Sequence, residues 1–110
     1  MQGIGQALME DTVYDSSTGQ LLSASFMDYA MPRAAHVPDF IFETRNVPCK
    51  TNPLGVKGAG EAGAIGSCPA VMNAIVDALW REYGIRHIDM PATPRRIWEV
   101  IHAAKAAAAV

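Results

Sequence analysis

At 110 residues and 11.8 kDa, the chain has room for one domain around one modest core. Half of its residues are apolar and only 18% are charged, a balance that excludes a charge-extended disordered polymer. The formal net charge of −2 leaves no basic footprint for nucleic acid.

No unbroken apolar run approaches the ~18 residues of a membrane span, and the opening "MQGIGQALMED" lacks the basic-then-apolar order of a signal peptide. Cys49 and Cys68 are too few and too far apart for a zinc motif, so a reduced, cytoplasmic setting is expected.

In chain order, Gly3 to Glu10 is predicted as a short helix with Ile4, Leu8 and Met9 on one side. "TVYDSSTGQLLSASF" reads as a β-hairpin, with arms at Thr12–Asp15 and Gln20–Phe26 and a turn ending at Gly19. Met27 to Asp39 is irregular, interrupted by Pro32 and Pro38. "FIFETRNV", Phe40–Val47, lies between Pro38 and Pro48 and is predicted as a further strand. From about Cys68 the apolar spacing changes to three and four through Val71, Met72, Ile75 and Leu79, the pattern of an amphipathic helix. Ser67 is placed to cap that helix, Pro69 to sit in its first turn, and Gly84 to stop it; Asp77 and Arg81 are spaced for an ion pair. Thr93-Pro94 opens a last helix, with Ile97, Ile101 and Ala104 on its buried side. The fold class expected is α+β: a short N-terminal helix, a hairpin and a further strand, then a Gly-rich loop and two C-terminal helices.

Between Asn52 and Pro69, "NPLGVKGAGEAGAIGSCP" gathers five of the nine glycines around Lys57 and Glu61. Gly58 to Gly63 matches G-x-G-x-x-G literally. The dinucleotide fingerprint also needs a buried strand just before it and an acid at a strand end about 20 residues later. Here "TNPLGVK" precedes the loop and Asp77 falls in mid-helix, so that reading is rejected. A phosphate-binding P-loop fails because no Gly-Lys-Ser/Thr follows. One alternative is a tight connection with Glu61 as a first-turn acid; the other is a backbone pressed against a ligand.

These residues, with "QGIGQALMEDTVYD", "GQLLSASFMDYAMPRA" and "MPATPRRIW" in matching order, resemble the C-terminal part of the molybdopterin-binding large subunit of the xanthine dehydrogenase and aldehyde oxidase family. Within it, the sequence looks most like the aerobic carbon-monoxide dehydrogenase-type large subunits. The resemblance implies that residues 1–110 are the C-terminal part of a larger molybdopterin-binding domain. It also implies that the metal is held by the dithiolene of the pterin, in bacteria often its cytosine dinucleotide form, and not by protein ligands. Glu61 matches the family's general base. Lys57, Gly58, Ala59 and Gly60 match the segment that passes the pterin, and Gln2 matches a glutamine that approaches it. The remainder of the large subunit, iron–sulfur and FAD subunits or domains, and a small-molecule substrate are the implied partners. The substrate-selecting residues of the family lie outside this sequence. By itself the chain is expected to be inactive, to hold little or no cofactor and to self-associate. The alternative is a degenerate module that keeps the fold and binds a partner subunit without chemistry.

His36, His87 and His102 share no metal-ligand spacing and read as surface or packing residues. Met9, Met27, Met31, Met72 and Met90 read as core filler. Trp80 and Trp98 read as packing residues on the two C-terminal helices.

Overall fold

The computed structural model describes residues 1–109. Its regular structure is α1 (Gln2–Leu8), a single 3₁₀ turn at Ala34–His36, α2 (Ala62–Tyr83) and α3 (Pro94–Ala108). The core lies at the far end of α2, where Leu79, Ile88 and Ala92 are buried and Met72, Ile75, Val76, Ile97, Val100 and Ile101 pack around them. This is the apolar stripe of α2, the segment after it and the inner face of α3, as the helical spacing predicts.

Both C-terminal helices begin or end on local chemistry. Gly84 adopts φ 70, and the N–H groups of Gly84 and Ile85 reach back to the carbonyls of Trp80 and Leu79. The Thr93 side chain accepts from the Arg96 N–H at 3.3 Å, with Pro94 in the first turn. The Arg81–Asp77 pair forms at 3.0 Å on the exposed side, a contact worth ~0.3–0.5 kcal/mol.

The N-terminus of α2 corrects the expectation. The helix starts at Ala62, six residues before Cys68, and Pro69 lies inside it. Ser67 is no cap; its hydroxyl donates to the Ala64 carbonyl at 3.3 Å within the helix. Pro69 has no N–H to continue the ladder, and Gly63 and Gly66 weaken the first turns. Those turns are held instead by α1, which packs directly across them. At 22 residues α2 also has the length and apolar composition of a membrane span, contrary to the absence expected from sequence. It carries Asn73, Asp77 and Arg81, and its own chain packs on it at both ends.

The strands are the second correction: among the described residues no strand forms, and the α+β expectation reduces to helices with one β-bridge, Tyr14 to Leu21. The predicted turn is present. Gly19 has φ 70, Asp15 N–H donates to the Gln20 carbonyl, and Leu22 N–H to that of Val13. The ladder stops there because the buried Ser23 hydroxyl accepts the Val13 N–H at 2.9 Å. Two short arms without a third strand gain too little to extend further. Phe40–Val47 finds no partner strand at all.

Much of the apolar surface is uncovered. The accessible area is 8974 Å², against ~5,900 Å² for a compact monomer of this mass. The radius of gyration is 18.7 Å, against ~13 Å for a compact domain of this length. Of the methionines expected in the core, Met72 joins it, whereas Met27 is 93% exposed and Met31 and Met90 are also exposed. Trp80 and Trp98 are exposed too, Trp80 lying under the Arg86 guanidinium and Trp98 beside the His102 ring.

The Asp15 carboxylate accepts from the N–H and hydroxyl of both Ser17 and Thr18, which lowers its pKa to about 2. A depressed carboxylate supports the turn fully above its unfolded value of about 4 and loses that support as the pH falls through about 2. Amide shifts of Ser17 and Thr18 are expected to stay constant down to about pH 4 and to move below about pH 3. A midpoint at the ordinary carboxyl value would contradict this.

A second expectation concerns the contact of α1 with α2. A Cβ at Gly3 would collide with the Ser67 side chain and stand 3.0 Å from the Ala64 carbonyl. Gly3→Ala should therefore destabilise the chain by ~1–3 kcal/mol in denaturant unfolding. Gly66→Ala, which faces open space, should be neutral or stabilising. Equal losses from both would refute the close-contact reading.

Candidate active-site wall

The loop leading into α2 is built by a glycine and an asparagine. Gly55 takes φ 66, and its N–H donates to the Asn52 carbonyl while its own carbonyl accepts from Cys49 N–H at 2.9 Å. Asn52 then grips Val56 from both sides: its amide nitrogen donates to the Val56 carbonyl at 2.9 Å and its amide oxygen accepts the Val56 N–H at 3.2 Å. The Cys49 thiol bonds the Thr51 hydroxyl at 3.0 Å, and that contact pulls its pKa below the usual thiol range. The turn thus fixes the direction in which Lys57 to Gly60 leave it.

From Lys57 to Glu61 no backbone N–H has a backbone partner among the described residues. Gly58, Gly60, Gly63 and Gly66 share a second property: a Cβ built on any of them meets nothing within 4 Å, and none has a positive φ. Neither backbone conformation nor packing inside this chain requires glycine there. Glu61 is the N-cap residue of α2; its carbonyl accepts from Ile65 N–H at 3.0 Å, but its side chain makes no capping bond and is exposed. The first-turn-acid reading therefore supplies no contact for the carboxylate.

α1 brings the second half of the site. The Cys68 thiol donates toward the Gly3 carbonyl and the Gln6 amide oxygen, both at 3.4 Å, which seats α1 on the first turns of α2. Gln2 and Gln6, one helical turn apart, then line an open concavity of about 480 Å³ with Glu61, Ala64, Ile65 and Cys68. Lys57 and Ala59 line a separate concavity of about 540 Å³ with Arg45, Asn46, Val47, Pro48 and Gly55. So Gln2 and Glu61 come together, Lys57 and Ala59 face a neighbouring space, and Gly58 and Gly60 line neither. Gln6, Cys68 and Asn52 were not singled out as site residues from sequence. Gln6 carries a legible signal, since it stands four residues after Gln2 on the same helical face.

The donor set suits an oxygen- and nitrogen-rich organic group more than a bare metal. It offers amides that donate and accept, unspent N–H groups, one carboxylate and one ammonium. Among the described residues no three His, Cys, Asp or Glu side chains converge as a metal site.

Several known proteins are similar to this chain. Residues 1–38 match the family description "Molybdopterin cofactor-binding domain". The chain is 39% identical to the gamma subunit of the 6-hydroxypseudooxynicotine dehydrogenase complex of Paenarthrobacter nicotinovorans, over 89% of this chain and 12% of that one. It is 34% identical to the carbon monoxide dehydrogenase large chain of Hydrogenophaga pseudoflava, again over 89% of this chain and 12% of the relative. The crystal structure of quinoline 2-oxidoreductase from Pseudomonas putida 86 superposes with a TM-score of 0.83 at 38% identity, covering 92% of this chain and 13% of that one. The chain is therefore a molybdopterin-binding fragment, similar to part of the large subunits of the xanthine dehydrogenase and aldehyde oxidase family. It spans about one-eighth of the length of these relatives.

If the Asn52 clamp sets the course of the loop, Asn52→Ala should leave helix content unchanged. The Val56 amide should then lose its protection from hydrogen exchange and the Val56–Gly60 stretch become the preferred site of limited proteolysis. An unchanged cleavage pattern would show that the loop is held by other contacts.

Proposed function

We propose that this chain forms one wall of the molybdopterin site of a molybdenum-dependent oxidoreductase, with Glu61 as general base and Gln2, Lys57, Gly58, Ala59 and Gly60 along the cofactor. The observation that carries the reading is the meeting of Gln2 and Glu61, distant in sequence, on one concavity bordered by a loop with unspent N–H groups.

When bound, molybdopterin supplies the redox centre, and its fit rests on the room that the glycines leave and on the amide-rich donor set. Glu61 is the one carboxylate on the concavity. Its side chain is committed to no cap or ion pair among the described residues, so it is free to take a proton from a group held in front of it. A base so positioned contributes ~10²–10⁴-fold in rate. The Gln2 amide donates and accepts at once and can orient a heteroaromatic edge. Lys57, set by the Asn52 turn, offers an ammonium to anionic parts of the cofactor.

The substrate class we assign is a small molecule oxidised or hydroxylated at carbon: carbon monoxide, an aldehyde or an N-heterocycle. The names of the relatives, which include carbon monoxide dehydrogenase, nicotine 6-hydroxylase and aldehyde oxidoreductase, support that range. Electrons would leave through iron–sulfur and FAD subunits or domains, in the cytoplasm. An open concavity with one wall encloses no cofactor, so the chain alone is read as inactive. Its exposed apolar surface supports self-association when it is isolated.

Glu61→Gln in the complete subunit is expected to lower turnover by ~10²–10⁴-fold, with molybdenum content and the cofactor's absorption spectrum unchanged. Normal turnover would remove Glu61 from the base role. Loss of molybdenum along with activity would make it a cofactor-retention residue instead.

A further inference from the structure

Between Pro38 and Pro48 the chain contains no helix, turn or bend, and no backbone–backbone hydrogen bond uses any of these residues. Phe40 is 59% exposed, Ile41 96% and Phe42 84%. In a strand, successive side chains point to opposite faces. Phe40 and Phe42 would cover one face and Ile41 the other. A strand on a surface sheet alternates apolar with polar, whereas consecutive apolar residues mark one covered on both faces. All eight residues from Phe40 to Val47 retain their N–H, and the prolines that would break pairing stand outside the run. Phe, Ile, Thr and Val are also residues that strands favour.

We infer that Phe40–Val47 is an interior strand of a sheet whose other strands come from the remainder of the same large subunit. Relatives about eight times as long supply that chain. A second copy of residues 1–110 fits poorly. Pairing two such segments would satisfy one edge of each, leaving the other edge and both apolar faces uncovered.

Docking has a consequence for the loop. The polar half of the segment, Glu43 to Asn46, follows the apolar half, and Arg45, Asn46 and Val47 share a concavity with Lys57 and Ala59. Fixing the strand would fix one side of the path taken by Lys57 to Gly60. The inference rests on the family assignment and the length of the relatives, and not on the role of Glu61.

Amide hydrogen exchange tests it, on the 110-residue chain alone and on the same residues within the assembled large subunit. Amides of Phe40–Val47 should exchange at nearly unprotected rates in the chain alone and slow by roughly a thousandfold or more in the assembled subunit, as an interior strand does. Ile41→Pro should prevent that protection and Ile41→Val should retain it. Glu61→Gln should leave the exchange pattern unchanged, so failure of the base assignment would look different. Unprotected amides in the assembled subunit would overturn the inference. So would protection already present in the chain alone that disappears on dilution, which would identify a second copy as the partner.

Discussion

The close approach of α1 to the first turns of α2 is the contact on which the site depends. It is possible because Gly3 has no side chain where Ser67 and the Ala64 carbonyl stand. The Cys68 thiol adds two long contacts across the same seam. Other ties hold this short helix and the segment just after it: Ala92 N–H donates to the Ala7 carbonyl at 2.7 Å, and the Tyr29 hydroxyl donates to Glu10, two residues beyond the helix, at 2.6 Å, which raises the tyrosine pKa. A seven-residue helix is too short to persist alone. Held this way, it presents Gln2 and Gln6 to Glu61 and links the hydrophobic core at the far end of α2 to the loop at its start.

The glycines divide into groups with different causes. Gly19, Gly55 and Gly84 satisfy backbone geometry, each at positive φ. Gly3 and Gly5 permit close packing, the second against the ring of Pro32. The glycines of the loop and first turns of α2 answer to neither requirement within this chain. On the proposed function they leave room for a close approach by the cofactor or by the rest of the large subunit.

Local chemistry was legible in the sequence and pairing across distance was not. Thr93-Pro94, Gly84, the Asp77–Arg81 spacing and the Asp15–Gly19 turn act within a few residues, and each stands where the pattern placed it. The start of α2 was misplaced because Gly63, Gly66 and Pro69 read as punctuation. Their cost is offset by α1, a partner sixty residues away that periodicity cannot see. The strands failed for the complementary reason: alternation and β-branched residues specify what a strand would bury, but a ladder needs a neighbour. The resemblance drew attention to Gln2 and Glu61 separately; only the seating of α1 shows that they share a concavity. Gln6, Cys68 and Asn52 act through contacts made on folding and left little trace.

On the proposed reading, the large exposed apolar area and the open site are both surfaces that more of the same subunit would complete. The most direct test is to locate the metal in crystals of the assembled, cofactor-loaded large subunit by anomalous scattering at the molybdenum edge. The expected result is a single peak over the concavity between Gln2 and Glu61, with the Glu61 carboxylate turned toward it. A peak remote from that concavity, with Glu61 facing bulk water, would contradict the assignment of this chain as a wall of the active site.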